Sequence, residues 1–62
     1  MVPITIERQI ACVEREIAKR GAVYPRLVAG GKMTQRKADD EIEAMRAVLL
    51  TLRAIEEKER LI

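Results

Sequence analysis

The stretch Leu27-Val28-Ala29-Gly30-Gly31-Lys32-Met33-Thr34-Gln35, close to the middle of 62 residues, sets a helix stop directly against a helix start. Paired glycines give the left-handed backbone that ends a helix, and the Thr34 hydroxyl can accept from the unpaired amides of the next helix's first turn. Met33 before that cap and Ala38 beyond it are spaced for a hydrophobic staple. A chain punctuated in this way folds as a helical hairpin, with helix 1 over about 3–29, a turn at about 30–33 and helix 2 over about 34–59.

The apolar pattern on either side of the turn agrees. Pro3 suits a first helical turn, where its missing amide would be unpaired anyway. Ile6, Ile10, Val13 and Ile17 then recur at helical spacing, and Tyr24, Leu27 and Val28 carry the same seam onward. Gly21 and Pro25 interrupt this pattern, because proline removes an amide and crowds the carbonyl four residues earlier. The register survives them, which predicts one kinked helix; the alternative is a helix broken between Gly21 and Pro25. In helix 2 the main stripe is Ala38, Ile42, Met45, Leu49 and Leu52, widened by Val48 and Ile55. Asp39, Asp40, Glu41 and Glu43 are expected in its first two turns, at the positive end of the dipole, with Arg60 near the other pole.

Each helix also carries a second, lesser apolar line: Ile4, Ala11, Ala18 and Ala22 in helix 1, and Ala47, Leu50, Ala54 and Leu61 in helix 2. Two helices of about 26 residues are about 40 Å long, and packed only on each other they leave much of this surface wet. A core below about 70 to 80 residues seldom supplies more than about 3 to 5 kcal/mol, so self-association is expected to complete it. The fold class is thus all-α: an antiparallel two-helix hairpin with a kinked first helix, dimerising into a four-helix bundle about a two-fold axis. Ile4, Ala11, Ala18, Ala47, Leu50 and Ala54 form the candidate face for a second copy or for another protein.

Chemistry-bearing groups are sparse. Cys12 is the only cysteine and there is no histidine, which removes intrachain disulfides and the usual zinc arrangements, and a free thiol suits a reducing, cytoplasmic setting. No apolar run approaches the roughly 18 residues of a membrane span, and the N-terminus lacks a signal-peptide pattern. No serine or cysteine stands beside a plausible base, so the chain is expected not to be an enzyme and to need no cofactor or metal. Gly30-Gly31-Lys32-Met33-Thr34 has neither the spacing nor the preceding strand of a phosphate loop. The four acids from Asp39 to Glu43 read as solvated helix-start carboxylates rather than metal ligands, and Cys12, off the main seam, as a partly covered inert thiol. Thr34-Gln35 with Ala38 suggests the second helix of a helix-turn-helix, but the periodicity runs on through Leu52 without the turn that motif requires.

Charge is distributed unevenly. Lys19, Arg20, Arg26, Lys32, Arg36 and Lys37 crowd the turn end with no acid between positions 17 and 38, whereas residues 38–62 hold seven acids against four bases. Such a basic end can meet phosphates or an acidic protein surface. The net charge of +2 is small for a nucleic-acid binder, and Tyr24 is the only aromatic residue available for stacking.

The run Val23-Tyr24-Pro25-Arg26-Leu27-Val28, then Gly31-Lys32-Met33-Thr34, followed by Ala38, Glu41-Ile42, Met45, Ala47-Val48 and Thr51-Leu52, resembles a family of short uncharacterised proteins of proteobacterial phages and prophages. The family carries no established activity, so the resemblance implies a phage setting rather than a mechanism. In size and hairpin plan alone the chain is similar to small phage proteins that block host regulators. Two function classes follow as expectations: a homodimeric module that binds and modulates a host or phage protein, and, as the alternative, a nucleic-acid accessory protein using its basic turn end.

Overall fold

The structure, a computed structural model, describes residues 3–61. Two helices, α1 (Ile6–Ala29) and α2 (Gln35–Arg60), pack against each other as a hairpin, and among the described residues there is no strand. Helix α1 begins three residues later than Pro3 suggests. Thr5, extended at φ −70° and ψ 160°, is its N-cap, and its hydroxyl accepts from the Arg8 amide at 3.1 Å. An N-cap oxygen satisfies an amide that a proline at the first turn can only omit, so the cap sets the start. Ile4 therefore precedes the helix rather than lying on one of its faces; its carbonyl accepts from Gln9 Nε2 at 3.3 Å.

The turn is a paired cap. Lys32 N–H donates to the Leu27 carbonyl at 2.9 Å and Gly31 N–H to that of Val28 at 3.1 Å, with Gly31 at φ +73°. This is a Schellman motif, in which one residue just past the helix takes the left-handed conformation. Gly31 is that residue; Gly30, at φ −83°, lies outside the left-handed region, so only one of the two glycines meets the expectation of positive φ. Thr34 then caps α2 as its spacing predicts, accepting from Lys37 N–H at 3.1 Å. Because α2 opens at Gln35, its first turn holds no acid, and the carboxylates from Asp39 onward begin one turn in. The dipole interaction falls off within the first turn, so they add less than their place in the sequence suggests.

Helix α1 runs unbroken through Pro25. Pro25 and Gly21 are both exposed, so the carbonyl that loses its partner faces water, while Tyr24, Leu27 and Val28 stay half-buried on the seam. Pro25→Ala is expected to raise the melting temperature by restoring the bond to Gly21, a gain of about 1 to 2 kcal/mol once the stiffer unfolded chain of the proline form is allowed for. A lower melting temperature by circular dichroism would contradict the unbroken helix.

The core lies along the line between the helices. Ile10 and Ala38 are its buried residues, at 8% and 4% exposure, and Ile6, Val13, Ile17, Ile42, Met45, Leu49 and Leu52 around them are half-buried. Every residue of the two predicted main stripes is buried or half-buried. Val48 and Ile55, which widen the α2 stripe, remain exposed.

Candidate functional site

Two surfaces follow from the sequence: the basic turn end and the second apolar lines. Their positions depend on how the helix backs are turned relative to the seam.

The six basic residues do not act alike. Glu16 draws in Arg20 at 3.1 Å, Lys19 at 3.8 Å and Arg15 at 3.9 Å, and Lys37 pairs with Glu41 at 2.9 Å. The hydrogen bond from Arg20, with the positive charges of Lys19 and Arg15 beside it, holds the Glu16 carboxyl below its ordinary range despite some desolvation. Reciprocally, the hydrogen bond to Glu16 raises Arg20, and the bond to Glu41 raises Lys37. Lys19, Arg20 and Lys37 are thus compensated by acids on their own helices. Arg26, Lys32 and Arg36 make no ion pair among the described residues and are exposed around the turn. Arg26 and Arg36 stand on the outer sides of their helices, away from the seam, so they flank the turn from opposite directions.

The amides of Gly30, Gly31 and Lys32 already donate to carbonyls of α1, and that of Lys37 to Thr34. Asp39 accepts from Gln35 Nε2 at 2.9 Å and Glu41 is paired with Lys37, and among the described residues no group of three or more His, Cys, Asp or Glu could hold a metal ion. Cys12 is exposed rather than partly covered; its Sγ lies 3.5 Å from Arg15 Nη2. No helix among the described residues is long and apolar enough to cross a membrane.

One cross-helix bond orients the apolar lines. Arg53 Nη2 donates to Glu14 Oε2 at 2.6 Å, so these two residues mark one broad side of the hairpin. Ala11 and Ala18 lie three and four residues from Glu14, and Leu50 three from Arg53, which places them on that same side. Ala47 and Ala54 continue the line of Leu50 toward the outer edge. Ile4 lies beside Ala11 in a shallow hollow shared with Arg8 and Cys12. Of the six residues singled out as a binding face, Ala11, Ala18 and Leu50 lie toward the Glu14–Arg53 side, Ala47 and Ala54 toward the outer edge of α2, and Ile4 ahead of α1; all six are exposed, with Leu50 standing out at 69% and Ile4 at 57%.

The opposite side holds what periodicity treats as mere widening of the core stripe. Val48 and Ile55, at 47% and 43% exposure, lie about 100° around α2 from Leu49, in the direction away from Leu50. With half-buried Met45 and Leu52 they make a continuous ridge at steps of three and four, whose spacing is visible in the sequence and whose exposure is not.

Comparison of the chain with models of protein families, with curated proteins and with solved structures finds no match.

Proposed function

We propose that this chain is a small non-enzymatic interaction module of phage type: a self-associating helical hairpin that binds and modulates a host or phage protein in the bacterial cytoplasm. The observation that carries this reading is the presence of large exposed apolar side chains on both broad sides of a thin hairpin, Leu50 on one and Val48 and Ile55 on the other. Exposed apolar surface of this kind is what protein partners cover. The resemblance of the turn region to phage proteins supplies the setting. For the alternative, nucleic-acid binding, the support is the open trio Arg26, Lys32 and Arg36. Three cations per chain make few phosphate contacts, and half-buried Tyr24 is no stacking platform.

Affinity capture from nuclease-treated host lysate, with wild type and Leu50→Asp as baits, tests the reading. A protein retained by wild type and lost by the folded variant is the expected result. Submicromolar affinity for duplex DNA at about 150 mM salt, abolished when Arg26, Lys32 and Arg36 are all changed to Gln, would overturn it in favour of phosphate recognition.

A further inference from the structure

The hairpin is one helix thick. Its extents are 48 × 23 × 15 Å, where a helix with its side chains is about 10–12 Å across and a stable domain ordinarily has two layers. Its radius of gyration is 14.7 Å, against about 10.6 Å for a compact chain of this length. The chain exposes 5180 Å², ~1,100 Å² beyond the ~4,100 Å² that size scaling gives for a compact protein of 7.1 kDa. A standard protein interface removes about 800 Å² from each partner. A single further layer covers the surplus.

We propose that a second copy of the chain supplies this layer by seating on the side that carries Met45, Val48, Leu52 and Ile55, which leaves the Leu50 side free. The inference rests on the self-association reading and adds which face is used. Three observations separate the two sides. The Val48 ridge is continuous with the core, since its exposed residues alternate along α2 with half-buried ones. On the other side the groove between the helices is crossed by the Glu14–Arg53 ion pair, and toward the turn Arg46 and Asp39 share its lining with Ile17, Tyr24 and Ile42. The apolar residues there are chiefly alanines, which remove little area from water when covered, and Leu50 and Ile4 stand apart from one another. A two-fold pair of ridges, antiparallel about Leu52, sets Val48 of each copy against Ile55 of the other and makes the four-helix bundle with α2 at its centre.

Sedimentation velocity of the full chain over micromolar concentrations, with wild type, Val48→Glu/Ile55→Glu and Leu50→Glu, reads this directly. Wild type and Leu50→Glu are expected at twice 7.1 kDa, and the double variant is expected to raise the dissociation constant by about tenfold or more, because two carboxylates per copy would be buried unpaired. Since the charged variant can lose its fold along with its partner, a milder pair is read beside it: Val48→Cys and Leu50→Cys, each in a Cys12→Ser background. Thiol labelling at position 48 should slow as concentration rises, and labelling at position 50 should not. Wild type that stays monomeric at every concentration removes self-association and this proposal together. A dimer that survives the double charge, or that dissociates on Leu50→Glu, overturns the choice of face and leaves self-association standing, as does concentration-dependent protection of position 50 instead of 48.

Discussion

Replacing Ile10 with aspartate is expected to abolish cooperative melting, while Leu50→Asp leaves the melting curve of the chain almost unmoved. Ile10 is 8% exposed and Leu50 69% exposed. A carboxylate taken out of water without a partner costs several kcal/mol or is forced to protonate. The whole stability of a core this size is about 3 to 5 kcal/mol, so the loss is of the same order as the total. An exposed substitution such as that of Leu50 moves stability by about 0.5 kcal/mol or less. Leu49→Asp, at a half-buried position next to Leu50, should resemble Ile10→Asp rather than its neighbour. Thermal melts by circular dichroism measure all three. Equal melting of the Leu49 and Leu50 variants would show that the seam has been assigned to the wrong face of α2.

Ala38→Leu is expected to have the second largest effect. Ala38 sits at the end of the first turn of α2, is 4% exposed, and shares its surroundings with Ile17 and Tyr24 of α1. A branched side chain there has to push the helices apart at the turn end unless it can turn into the open hollow that Ala38 lines with Ile17, Tyr24 and Ile42. Overpacking of this kind costs about 1 to 3 kcal/mol, although leucine is itself a good helix former. Ala38→Gly should lower stability by only about 1 kcal/mol, through helix propensity. A melting temperature at or above wild type for Ala38→Leu would mean that the close approach of the helices at Ala38 is not a constraint.

How far these features were legible in the sequence depended on whether they are local. The Thr34 cap, the left-handed position after α1 and both main stripes rest on residues within a few positions of each other, and they stand in the structure much as spacing implies. Thr5 is equally local, a residue type favoured at N-caps, but Pro3 two positions upstream offers a competing start. The division of the basic end is half legible: Lys37 with Glu41 and Glu16 with Arg20 are both four apart along a helix, and such pairs leave Arg26, Lys32 and Arg36 as the open set. The Glu14–Arg53 bond could not be read, because it joins residues on different helices and depends on their rotation and stagger. That one bond tells which side of the hairpin each apolar line occupies, so the contrast between the Leu50 side and the Val48 ridge had to come from three dimensions.

The doubly capped turn also sets an order of assembly. Its hydrogen bonds, from Lys32 to Leu27 and from Lys37 to Thr34, all lie inside a short stretch of chain and need nothing from the distant ends. Once that stretch closes, Tyr24 and Ala38 meet across a small loop, whereas Glu14 and Arg53 are 39 residues apart in sequence. Loop-closure entropy grows with separation, so pairing is least costly at the turn and advances from there like a zip toward Ile6 and Arg60. Unfolding is expected to reverse the path: the open end, where Ile6 and Arg60 lie, separates first, and the turn is the last native structure to be lost.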